Sequence, residues 1–313
     1  FGGDYEKFYW TSGKIEVYEK LINQNFDFVI ANDIETLPLA MRLARKETPV
    51  ILDAHEYSPL EFEDNLRWRV LQKPLIDYIC REYIPRVIAA TTVCNGIAEM
   101  YERNFGKKFE VITNAAKYEE LPVLPTNPDK IKLIYHGLAH PSRQTEKQIE
   151  MMQFLDQRFE LNLMLVGDNN YIENLKKKAV SLTNVKFLPP VPTGEIARFT
   201  NQFDIGIFLL PPTNFNYKYA LPNKFFEFVQ ARLAIAVSPS LEMAKLVKEF
   251  DLGLVANDFT PRSMATEIGK LTAEKINYFK SQANKHAAQL SAESNREKFL
   301  NIVNKYVRNR RHH

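Results

Sequence analysis

Hydrophobic and polar positions along this chain follow two periods in turn. Short apolar runs of strand length fall at residues 26–31, 50–53, 87–93 and 109–112, and again at 132–135, 161–166, 185–188, 205–209, 234–237 and 253–255. Between them the apolar residues recur at helical spacing. Ile15, Tyr18, Leu21 and Ile22 mark one amphipathic helix, and the pattern predicts others over about 35–44, 65–83 and 95–103. The chain closes on a polar helical stretch from about 275 to 308. Strands alternating with helices build parallel, doubly wound sheets, so the predicted class is α/β.

Residues 119–130 interrupt the alternation with Pro122, Pro125 and Pro128 and no periodicity, which reads as an interdomain linker. The chain then divides into domains 1–125 and 126–313, the second ending in the C-terminal helix. The second series has six strands. The first opens on a helix and has about four, fewer than a complete Rossmann-like half, so this domain is expected to be either incomplete or reduced, with Gly2-Gly3 as all that could remain of a glycine-rich loop. No solenoid repeat or low-complexity segment occurs.

Composition narrows the function classes. At 313 residues the chain can bury two cores of ordinary size, and 45% hydrophobic with 25% charged is ordinary for a globular protein. A net charge of +3 fits an anionic ligand or a brief visit to an anionic membrane, and is too weak to argue for nucleic acid. Cys80 and Cys94 make neither a disulfide framework nor a metal spacing, so a reducing, cytoplasmic location is expected. No apolar run approaches the roughly 20 residues of a membrane span. His312-His313 reads as the start of a purification tag.

Residues 221–240 organise the second series: a helix with Pro222 at its first position and Phe225, Phe226, Val229 and Leu233 on one face, then a buried strand closed by Ser238-Pro239. Lys224 and Glu227 share a face of the first turn. A lysine there opposes the helix dipole, and a bound phosphate would reverse that conflict. Taken alone, the pair reads first as a surface ion pair of little energy.

The string Pro222-Asn223-Lys224-Phe225-Phe226-Glu227-Phe228, followed by Ala231, the strand and Ser238, resembles the nucleotide-sugar site of GT-B glycosyltransferases of the family 4-like type (glycosyl transferase group 1). The resemblance implies two Rossmann-like domains facing a central cleft, with the carboxylate of Glu227 on the donor ribose and Asn223 and Lys224 beside the donor. Tyr135-His136-Gly137, with Arg143 six residues after the glycine, matches the segment that holds the donor diphosphate. Arg143 falls where the family's Lys stands, and its fork of donors suits a phosphate. Leu138 falls where the family's Arg stands, so Lys224 or His136 is expected to supply the missing positive charge. Leu165-Val166-Gly167-Asp168 matches the strand-to-glycine turn beside the nucleotide. Residues 185–191 match the segment whose backbone meets the base, with Pro189-Pro190 replacing the usual glycine, and the loop 211–220 is expected to face the sugar. Tyr219 stands eight residues before Glu227, where many members carry a second Glu. The resemblance runs from about residue 26 to 306.

Ligands of open α/β sheets bind outside the carboxyl ends of the strands. In the first series, Asn32-Asp33 and Asp53-Ala54-His55-Glu56 end strands and resemble the family's acceptor-side segments. His55 is the candidate catalytic residue, orienting the transferring sugar or the acceptor; otherwise it is a capping imidazole. Asp33 and Glu56 are acceptor-side candidates, and Asp33 could equally cap the next helix.

Transfer from a nucleotide sugar begins with a good leaving group, so the enzyme must stabilise charge on the departing diphosphate. No Asp-x-Asp occurs, so a metal-independent reaction with no cofactor besides the nucleotide-diphosphate sugar (UDP- or GDP-linked) is expected. Retention of configuration, a glycan or lipid-linked acceptor and a role in cell-surface polysaccharide synthesis are implied by the resemblance alone. Lys305, Arg308, Arg310 and Arg311 suit peripheral contact with the inner face of the cytoplasmic membrane, or form a solvated tail. A nucleotide-sugar epimerase or hydrolase of the same fold, and a two-domain sensor without turnover, are the rival readings. A nicotinamide dehydrogenase is disfavoured because no Gly-x-Gly-x-x-Gly occurs.

Overall fold

In the computed structural model, residues 4–45 and 48–307 are described. Gly2, Gly3, Arg308, Arg310, Arg311, His312 and His313 lie outside them, and with them the expected glycine-loop remnant, most of the basic tail and the tag. Two compact units result. The first comprises the described residues up to Thr113, Asn214–Asn216 and the described residues from Arg296 onward; the second comprises Asn114–Thr213 and Tyr217–Asn295.

The first unit carries a four-stranded sheet of β1 (Val29–Asn32), β2 (Val50–Ala54), β3 (Ala89–Thr92) and β4 (Glu110–Val111), in that order and parallel throughout. The expected first strand begins three residues late. Val29 pairs with Val50, the first residue of β2, so residues 26–28 have no strand to pair with. The helical stretch 65–83 is broken into Leu66–Leu71 and Lys73–Tyr83, because Pro74 falls in the first turn of the second helix. The helix Ser12–Leu21 forms where the periodicity placed it, but none of its residues is buried and Ile15 remains 41% exposed.

The second unit carries six parallel strands: β5 (Ile131–Ala139), β6 (Phe159–Gly167), β7 (Val185–Leu188), β8 (Ile205–Phe208), β9 (Ala234–Val237) and β10 (Gly253–Val255). Their order is β10-β9-β8-β5-β6-β7. Consecutive strands wind away from the β5–β8 pair on both sides, which makes the carboxyl ends of those two strands the switch point where such sheets bind ligands.

The boundary differs from the expected 125/126. Residues 119–130 have no regular structure, yet buried polar groups of the second unit hold them. Arg232, 1% exposed, donates from Nη2 to the Glu119 carbonyl at 2.6 Å. Asn201 donates to the Pro122 carbonyl at 3.0 Å, and Thr126 donates to Asp204 at 2.9 Å. The last helix, Ala292–Val307, is divided as well. Ile302 joins Ile51 and Ala89 in a first-unit core against which Phe299, Val303 and Tyr306 pack, so most of this helix groups with the first domain instead of closing the second.

Candidate functional site

The site of the second unit begins with the helix Asn223–Gln230, whose N-cap is Pro222, one position earlier in the helix than expected. No side chain caps its N-terminus, so its first N–H groups point outward without a side-chain acceptor. The apolar face anchors it: Phe225, Phe226, Phe228 and Val229 are all buried. That anchoring draws Lys224 inside. Its Nζ lies 4.0 Å from the Tyr135 ring centroid on β5 and 4.6 Å from that of Phe208 at the end of β8. The ammonium therefore stands at the switch point, held by two aromatic faces.

Gly137 makes room for it. Its φ is +128°, and a Cβ built there would fall 2.9 Å from Lys224 Nζ. Lys224 forms no ion pair with Glu227 or any other carboxylate among the described residues, so the surface-pair reading of the two does not hold. Burial, then the Arg143 guanidinium, pushes the lysine pKa well down, against a smaller opposing pull from Glu227. Burial likewise raises the Glu227 carboxyl, with Lys224 opposing. A bound anion would favour the charged form of Lys224 and offset the repulsion from Arg143.

Arg143 ends a short turn, Pro141–Arg143, just beyond β5. Its guanidinium carbon lies 5.1 Å from the Tyr217 ring centroid, and the Tyr217 hydroxyl is 2.8 Å from Ser142 Oγ. Among the described residues Arg143 has no carboxylate partner, so its fork is available to a ligand. Of the two residues expected to supply the missing positive charge, Lys224 or His136, the histidine does not. It is 3% exposed, and burial followed by the charge of Lys224 brings its pKa down to about 3, so the ring is neutral.

Gly167, at φ +117°, lets β6 turn against β5: a Cβ there would come within 2.7 Å of Leu138 Cδ1. Asp168 is occupied as the N-cap of the helix Asn169–Ala179, accepting from the Asn170 and Tyr171 amides at 2.9 and 3.1 Å. Asn223 is exposed at the start of its helix. The loop 211–220 is shared, with Asn214–Asn216 grouping with the first unit and Tyr217 with the second.

In the first unit, Asp33 and His55 come together. Asp33 adopts φ 62° and ψ 159°, an unusual backbone for a non-glycine residue, and does not cap the following turn. Its Oδ1 instead accepts from the His55 amide at 2.7 Å and lies 3.2 Å from His55 Nδ1. On the other side, His55 Nε2 is 3.8 Å from Asp53 Oδ2, and Thr91 donates to Asp53 Oδ1 at 2.6 Å. The bond to Asp33 raises the His55 pKa; the Asp33 carboxyl, lifted by burial, is lowered overall by its bonds to His55. Sequence reasoning missed Asp53, Thr91 and Glu61. Burial, with Glu35 and Asp33 nearby, raises the Glu61 carboxyl to about 7. Glu56 is exposed, and its carbonyl accepts from the Tyr101 hydroxyl at 2.8 Å.

The Asp33–His55 pair has a signed pH dependence. Asp33, lowered, contributes above its unfolded pKa; His55, raised, contributes below its unfolded pKa and stops as pH rises through its folded one. Asp33→Asn should therefore reduce stability most between about pH 4 and 6.5, with the difference shrinking at higher pH. By NMR titration the His55 pKa should fall back toward its ordinary value; an unchanged value would mean that Asp33 does not hold the imidazolium.

These two units have the GT-B fold, as likeness to solved structures shows. No protein-family model matches the chain and no curated protein matches it in sequence. A variant of S. aureus TarM, solved with fondaparinux, alpha-GlcNAc-glycerol and UDP, is similar at TM-score 0.74 and 15% identity, over 93% of this chain and 58% of that one. Anabaena HepE in complex with UDP and glucose is similar at TM-score 0.72 and 13% identity, over 97% of this chain and 83% of that one. An alpha,alpha-trehalose-phosphate synthase (UDP-forming) from Burkholderia vietnamiensis is similar at TM-score 0.67 and 11% identity, over 95% and 76%. The chain spans less than two thirds of the TarM chain.

Proposed function

We propose that this protein is a glycosyltransferase that moves a sugar from a nucleotide-diphosphate donor to a glycan or lipid-linked acceptor. The observation that carries the reading is Lys224, buried at the β5–β8 switch point over Tyr135 and Phe208, with no carboxylate partner among the described residues and an uncapped helix N-terminus beside it. A diphosphate matches that arrangement in charge and in its need for N–H donors. Arg143 supplies the second cation, and Glu227 accepts from the ribose hydroxyls. Stabilisation of the leaving diphosphate by fixed cations is what metal-independent transfer requires. The structural neighbours solved with UDP or UDP-glucose support a uridine donor, with GDP as the alternative. His55, oriented by Asp33, serves the acceptor or the reacting sugar. Retention of configuration and a place in cell-surface polysaccharide synthesis are what the family resemblance implies, while brief contact with the inner face of the cytoplasmic membrane rests on the basic residues Lys305, Arg308, Arg310 and Arg311.

The test is acceptor-dependent release of nucleoside diphosphate from UDP- and GDP-sugars, using oligosaccharide and lipid-linked acceptors. Release that requires acceptor and yields a new glycoside is the expected result. Release without acceptor would identify a hydrolase, and diphosphate binding with every sugar left intact would identify a sensor.

A further inference from the structure

The neutral ring of His136 has a place in the site other than the one its charge would have given it. It projects from β5 into a closed space, edge-on to Phe228 with ring centroids 5.2 Å apart. Its Nε2 is buried and has no hydrogen-bond partner among the described residues. A buried polar atom without a partner is uncommon and unfavourable, so its surroundings ask for an explanation. The atom lies 3.5 Å from Glu227 Oε2, just beyond hydrogen-bond range.

Glu227 is the partner with room to move. Its side chain is 13% exposed at the edge of the site, whereas that of His136 is 4% exposed. Lys224 does not hold the Glu227 carboxylate, because its ammonium sits over Tyr135 and Phe208 instead. A carboxylate that must accept from two ribose hydroxyls needs its plane fixed from behind, by a donor that leaves its charge in place. A neutral imidazole N–H does this; a second cation would draw the carboxylate to itself.

We propose that His136 is the positioning residue for Glu227: a small inward shift of the carboxylate lets Nε2–H donate to Oε2 and turns the carboxylate toward the ribose. This rests on the ribose reading of Glu227 given above. It also separates the work of the two neighbours, with His136 orienting the carboxylate and Lys224 left for the diphosphate.

The experiment is calorimetric binding of UDP and of 2′,3′-dideoxy-UDP to wild type, His136→Phe, Glu227→Ala and the double variant. Phe keeps an aromatic ring against Phe228 and removes the N–H. Loss of one hydrogen bond to the carboxylate predicts UDP binding about ten- to a hundredfold weaker in His136→Phe. Binding of 2′,3′-dideoxy-UDP should be unchanged, and the double variant should be no weaker for UDP than Glu227→Ala. Equal loss on both ligands, an undiminished loss in the Glu227→Ala background, or no loss at all would overturn the proposal. If His136→Phe fails to fold, the ¹⁵N spectrum of the wild-type imidazole decides: the Nε2–H tautomer is expected with UDP bound, and the Nδ1–H tautomer would overturn the pairing. Wild type binding both ligands equally would instead refute the ribose reading, while the tautomer would still report on the pairing itself.

Discussion

Glu227→Gln should bind UDP about ten- to a hundredfold more weakly than wild type. The carboxylate accepts charge-assisted bonds from two ribose hydroxyls, and losing a bond to a charged group typically costs ~1.5–3 kcal/mol. Gln preserves size and helix propensity, so the substitution isolates the charge. Folding should not suffer. The Glu227 pKa is raised by burial, so between its unfolded and folded values the native state holds more protons than the unfolded one, and stability falls as pH rises through that window. Removing the charge relieves that loss. A matched titration with 2′,3′-dideoxy-UDP should show most of the difference between wild type and variant gone; a difference as large as on UDP would contradict the ribose assignment.

Lys224→Met should all but abolish the preference for UDP over uridine while leaving the unliganded protein at least as stable. The surroundings penalise the charged form of the lysine: burial, then Arg143, holds its pKa well below the ordinary value. Between the lowered folded pKa and the ordinary value near 10.5 the unfolded chain binds more protons, so wild-type stability rises with pH across that window. Met fills the space between Tyr135 and Phe208 without the charge. The melting temperature of the variant relative to wild type should therefore increase as pH falls from about 10 toward the lowered folded pKa. A diphosphate replaces the missing counter-charge, which is why binding should fail where folding does not. A variant that melts lower throughout this range and still prefers UDP would make Lys224 a packing residue.

Much of this site was legible before the structure, because its residues follow strand ends and the strands announce themselves as apolar runs. The strand-end rule pointed to Asp33 and His55, whereas Gly137, Arg143, Lys224 and Glu227 were singled out by the resemblance of the strings that carry them. The interior of the site was not legible. Lys224 in a first helical turn reads as a surface charge until β8 is known to lie beside β5, which brings Phe208 to the far side of the ammonium. His136 reads as a source of charge until its burial is known. Asp33 and His55 are 22 residues apart and meet only because Asn32 pairs with Asp53 in register, setting the residues that follow side by side. The proline-rich stretch at 119–130 looked like a tether, since its partners Asn201, Asp204 and Arg232 are remote in sequence and their side-chain bonds leave no periodicity behind. The last helix read as polar and was assigned to the second domain; Phe299, Ile302, Val303 and Tyr306 place most of it in the first by packing on Ile51 and Ala89.

The central claim is a nucleoside-diphosphate site at the β5–β8 switch point, and a crystal structure of this chain with UDP bound tests it most directly. The account predicts the ribose hydroxyls within hydrogen-bond distance of the Glu227 carboxylate, and the diphosphate between Arg143, Lys224 and the first amides of the helix Asn223–Gln230. UDP seated elsewhere on the second unit, or seated there with its ribose turned away from Glu227, would contradict it.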